Sequence, residues 1–142
     1  MTADNSMGTN WANSRAWSIG CLIVILFVVL SELTVVFHDY FFSRLGLERN
    51  TVLYVLWLLP LVASFIAARY SQVHSISFAL SYAIILPAFG ALGHYINGVL
   101  GGARDLVGIS GALVIFKVYF SIGGILIVIG AFLGAVFSIK RP

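Results

Sequence analysis

The chain has 142 residues, of which 61% are hydrophobic and only 9% charged, and its mean hydropathy is +1.04. Soluble domains carry about 25% charged residues, so a chain this apolar cannot cover itself with polar surface in water and belongs to the membrane class. A net charge of +3, scattered without a basic run, gives nucleic acid nothing to hold, and the single cysteine, Cys21, excludes an internal disulfide.

Residues 1–16, MTADNSMGTNWANSRA, are polar and lack apolar periodicity, and are expected to form a mobile N-terminal tail. Residues 17–142 form the expected membrane domain, with apolar runs at about 18–37, 51–68, 76–96 and 112–139. About 20 apolar residues cross the hydrocarbon core as a helix, and the runs are too long and too uniformly apolar for barrel strands. No A-x-A site ends the first run, so it is expected to stay as an uncleaved span. The predicted fold is all-α: a polytopic membrane protein whose four transmembrane helices pack as a compact bundle.

An even number of spans puts both termini on one side. That side carries Arg15, Arg69, Lys140 and Arg141; the other carries Arg44, Arg49 and Arg104, with Lys117 at its margin. Asp39, Glu48 and Asp105 offset the second set, which places both termini in the cytoplasm. Aromatic residues fit the same boundaries. Tyr40, Phe41, Phe42, Tyr54, Tyr95 and Tyr119 mark the outer interface, and Trp11, Trp17 and Tyr70 the inner one.

Pro60 and Pro87 fall near the middles of the second and third runs and read as ordinary kinks. The last run has no proline, so the correspondence expected of inverted transporter repeats fails. That run instead carries Gly123, Gly130 and Gly134 on one stripe with Ile127. Such a stripe lets another helix approach closely, and the expectation is packing within this chain. The connection GVLGGARDLVGISG lacks the G-K-[ST] ending of a phosphate loop and reads as a flexible loop.

Ionisable groups collect at one depth. Glu32 interrupts the first run in SELTVVFHDYFF, and His38 and Asp39 follow just beyond it. His94 ends the third run and Lys117 opens the fourth. Glu32 and Asp39 share a helix face if the first helix continues to about Leu45, ahead of Gly46. An intramembrane carboxyl group needs a partner, and Lys117 is the expected counter-charge. The polar group set is therefore Glu32, Lys117, His94 and Asp39, serving as an ion pair or a transport path. His38 and His94 are the weak candidates for clamping a haem or a metal, but no H-x-x-E-H or C-x-x-C-H pattern frames them, and no cofactor is expected. No G-x-S-x-G or S-x-x-K motif suggests nucleophilic catalysis.

A glutamate in the first of four short spans is shared with the small multidrug transporters. The likeness ends there, because Glu32 stands in VLSELTVV near an exit rather than near the midplane among small residues. The leading expectation is a non-enzymatic accessory or assembly subunit of a bacterial cytoplasmic (inner) membrane. Its partners would be the lipid bilayer and a larger membrane complex or further copies of itself. A small oligomeric transporter or channel using Glu32 and Lys117 is the second reading, and a haem or metal protein the third.

Overall fold

The apolar run at Trp17 continues a helix that has already begun at Asp4. The computed structural model describes residues 4–70, 75–101 and 108–138, and among them there are only helices. Helix α1 spans Asp4–Val36, 33 residues, or roughly 50 Å at 1.5 Å per residue. That exceeds the ~30 Å hydrocarbon thickness, so its polar first turns belong outside the apolar layer. The stretch read as a mobile tail is thus helical from Asp4 onward. Helical hydrogen bonding also runs past Val36, through Phe37 N to Leu33 O (2.9 Å) and Phe41 N to Phe37 O (3.0 Å). A π-helical segment, Asp39–Arg44, follows, and Gly46 at a φ of 64° turns the chain.

Helix α2 spans Arg49–Tyr70, α3 Ser75–Leu80, α4 Tyr82–Val99, α5 Gly108–Val118 and α6 Gly124–Ser138. A second π-helical segment, Tyr119–Gly123, joins α5 to α6. The break between α3 and α4 is slight. Ser81 stays in the right-handed helical region, its N–H donates to Ser77 O (3.2 Å), and its carbonyl accepts from Ile85 N (3.1 Å). Pro60 and Pro87 lie inside α2 and α4 without ending either.

Three stretches are long and apolar enough to cross a membrane: Ser14–Val36, Arg49–Tyr70 and Gly108–Ser138. The expected third span, residues 76–96, is not among them. The run is divided at Ser81 into Ser75–Leu80 and Tyr82–Val99, so the polar His94 and Asn97 of the longer piece are not balanced by the apolar residues of the shorter one.

Two seams hold the bundle. In the first, α6 lies on α2, which also packs on α1. The buried ridge Pro60, Ala63, Ser64, Ala67 and Ala68 of α2 faces Gly130 and Gly134 of α6. A Cβ at Gly130 would strike Ser64 Oγ and Leu61 O; one at Gly134 would come within 2.5 Å of Phe65 O. The helices therefore meet backbone to backbone, where dispersion between many atom pairs does the holding. The second seam joins α1 to α4. Tyr82 Oη donates to Trp17 O and Asn97 Nδ2 to Glu32 Oε2, and the sequence offset is 65 residues in both bonds. Equal offsets at opposite ends mean that α4 runs parallel to α1 and in register with it. Between the seams lie the buried side chains of Val24, Phe27, Leu56, Leu86 and Ile127.

Candidate functional site

The site forms where the ends of α1 and α4 meet the first π turn after α5. Gly90, His94 and Asn97 occupy one buried stripe of α4, at the i, i+4, i+7 spacing of a helix face. Gly93 stands beside that stripe. A Cβ there would lie 3.1 Å from Val28 Cγ1, a tight approach, and 3.7 Å from Glu32 Cγ, an ordinary contact, so the missing side chain makes room for Val28 beside Glu32. Gly90 likewise accommodates the Tyr119 ring.

Glu32 is held from two positions on α4. Asn97 Nδ2 donates to Oε2 at 2.6 Å, a short bond of the kind a carboxylate acceptor makes. His94 Nδ1 lies 3.4 Å from Oε1, and the two side chains are only 7% and 14% exposed for His94 and Glu32. Next to them stands Tyr119, buried at the start of the second π-helical segment. The Tyr119 ring packs with Phe27 and Trp57 at centroid distances of 5.4 Å each, and Phe27 and Trp57 are 5.1 Å apart. An aromatic wall from three helices thus closes the apolar side of the polar cluster. The π turn begins at Tyr119 itself, and its wider winding reorients the helix at that residue. Single π turns of this kind recur at functional sites.

Lys117 is not part of this cluster. It is exposed, and among the described residues no ion pair joins it to Glu32. The reason is angular. Residues two apart on a helix point about 200° apart, so Tyr119 facing inward turns Lys117 outward. The lengths of the apolar runs place Lys117 along its helix but carry no information on its azimuth. The expected pairing with Lys117 is replaced by Asn97 and His94; His94 belongs to the expected polar set, and Asn97 does not. The signal was present as the buried spacing Gly90, His94, Asn97 with Gly93 alongside.

The remaining expected residues are scattered. The Asp39 side chain lies outside the described residues, as do His74, Arg104, Asp105, Lys140 and Arg141. His38 is exposed and sits edge-on to Phe42 at 5.0 Å. Among the described residues no three His, Cys, Asp or Glu side chains come together in a way that could hold a metal ion. Gly123 packs against Leu86 and Trp57, while Gly130 and Gly134 form the seam with α2.

Chemically, the cluster offers a carboxyl group, an imidazole, a carboxamide and a phenol in a nearly closed space. It can hold and redistribute a proton, and it can lock α1 to α4. Comparison with protein-family models, with curated proteins and with solved structures gives no match for this chain.

Proposed function

We propose that the chain is a four-span, non-enzymatic protein of a cytoplasmic membrane that serves as an accessory or assembly subunit, packing against helices of a larger complex. The parallel, in-register pairing of α4 with α1 supports the fourth span: α4 reaches the same depths as a helix that is itself long and apolar enough to cross. The carrying observation for the role is Lys117. It stands on the outward face of the Gly108–Ser138 helix among exposed Leu113, Val114, Phe116 and Phe120. An outward cation on an apolar helix either snorkels to the interface or meets an acid on another helix. Inside the bundle, by contrast, Asn97 donates to Glu32 and His94 lies beside it, which suits a structural pin better than an open path.

The test is photo-cross-linking in cells from positions 116 and 120. A discrete protein adduct that weakens in Lys117→Met supports the subunit role, and an adduct of twice the chain's mass makes the partner a second copy. Lipid adducts alone, unchanged by Lys117→Met, overturn it.

One observation favours a second reading, transport. Glu32 and His94 form a titratable pair 3.4 Å apart inside the bundle, and intramembrane pairs of this kind relay protons in pumps. Proton flux in liposomes that Glu32→Gln abolishes would put this reading first.

A further inference from the structure

At the opposite end of the bundle, α2 finishes with a guanidinium whose buried Nε has no acceptor among the described residues. Arg69 makes no hydrogen bond or ion pair among the described residues, and its Nε is buried without an acceptor. Yet the side chain is held in place. Its guanidinium carbon lies 5.8 Å from the Phe65 ring centroid and 5.9 Å from that of Tyr70, distances at which a ring face attracts a cation. Phe65 is fixed in turn by Phe137 of α6, at 6.1 Å, and the Arg69 backbone lies against Gly134. A guanidinium carries five donors in a planar fork and cannot shed its charge. Burying Nε unpaired is costly, and because the residue is only half-buried, the outer part of the guanidinium is what an acceptor from outside the chain can reach.

The acceptor's chemistry follows from the position. Arg69 is one residue from the end of a membrane-length helix, flanked by aromatic rings of the kind that gather at headgroup depth. Acids are scarce at this end. The chain's five are Asp4, Glu32, Asp39, Glu48 and Asp105, and only Asp4 belongs to the sequence segments at the Arg69 end, against Arg15, Arg69, Lys140 and Arg141. We propose that Arg69 binds the phosphate of an anionic phospholipid headgroup, at the junction of α2 and α6. The planar fork matches two phosphate oxygens, and the surplus of basic residues favours a lipid with net negative charge over a zwitterionic one. This inference rests on the membrane reading and is independent of the roles given to Lys117 and Glu32.

The experiment measures thermal stability of the purified full chain in neutral detergent. Phosphatidylglycerol, phosphatidylcholine and inorganic phosphate are titrated in separately. Phosphatidylglycerol is expected to raise the wild-type melting temperature, phosphatidylcholine less, and inorganic phosphate not at all. Arg69→Gln should move the phosphatidylglycerol midpoint about tenfold, the loss of one charge-assisted contact. Arg69→Lys should recover only part of it, because the charge returns without the fork. Equal midpoints in wild type and Arg69→Gln overturn the proposal, and an equal rise with inorganic phosphate removes the lipid from it. If the variants do not fold, native mass spectrometry of the wild type decides: preferential retention of phosphatidylglycerol supports the site, and equal retention of both lipids overturns it. Alkaline carbonate extraction of cell membranes separates the two levels. A chain that washes off loses the membrane reading and this site together, whereas one that stays while the lipid responses are equal loses only the site.

Discussion

Asn97 donates its side-chain N–H to Glu32 at 2.6 Å, and this bond, not a contact with Lys117, anchors the carboxyl group of α1. Removing either partner leaves a nearly buried polar group unpaired, at a cost of about 1–3 kcal/mol. A double-mutant cycle of Glu32→Ala with Asn97→Ala is expected to show a coupling above about 0.5 kcal/mol in thermal stability. The parallel cycle of Glu32→Gln with Lys117→Met should be additive within about 0.5 kcal/mol. The reverse pattern would return Lys117 to the role of counter-charge.

This contrast marks what the sequence can disclose. Depth is legible, because apolar run lengths set where each residue lies along a span. That is enough to bring Glu32, His94 and Lys117 to one zone. Azimuth is legible only where several residues share a stripe, as Gly123, Ile127, Gly130 and Gly134 do; a lone Lys117 carries no such stripe. Even there the partner helix is undetermined, since glycine marks a close approach without naming what approaches. The π turns at Asp39–Arg44 and Tyr119–Gly123 are illegible in a different way. A π turn forms where packing favours one extra residue, and packing is a property of the folded chain. The polar first turns of α1 were hidden because nothing apolar repeats in them, although helix can propagate outward from a stable apolar segment at little cost.

The α2–α6 seam predicts opposite outcomes for two neighbouring glycines. Gly130→Ala drives a methyl group into the Leu61 carbonyl and the Ser64 hydroxyl, and backbone cannot yield as a side-chain tip can. The expected loss is about 1–3 kcal/mol. Gly124→Ala meets nothing within 4 Å and should be neutral or slightly stabilising. Melting temperatures of the two variants check this, and equal losses would show that glycine flexibility rather than close approach is at stake.

Topology can be tested by counting. If α3 and α4 cross the membrane together, the crossings number four and the termini lie on the same side. If only the three most apolar stretches cross, the termini lie on opposite sides. Reporters fused ahead of Met1 and after Pro142 are both expected to report cytoplasm. A cytoplasmic N-terminus with an external C-terminus would remove the fourth span.

The clamp at the far end of α1 and α4 offers a test through rescue. Tyr82 Oη donates to the Trp17 carbonyl at 2.6 Å, and Trp17 Nε1 donates to Ser81 Oγ at 3.0 Å. Gly20 lies under the Tyr82 ring, where a Cβ would collide first with the hydroxyl oxygen. Tyr82→Phe forfeits one hydrogen bond, about 0.5–1.5 kcal/mol. Gly20→Ala alone costs about 1–3 kcal/mol, because the hydroxyl is tied to Trp17 and the ring cannot retreat. In the double variant the nearest clashing atom is gone and the ring is no longer tethered, so it can withdraw from the new methyl group. The double variant should therefore lose less stability than the two single losses combined, by at least about 0.5 kcal/mol. Strict additivity in thermal unfolding would mean that the clash at Gly20 falls on the ring carbons alone and that the hydroxyl tether does not position Tyr82.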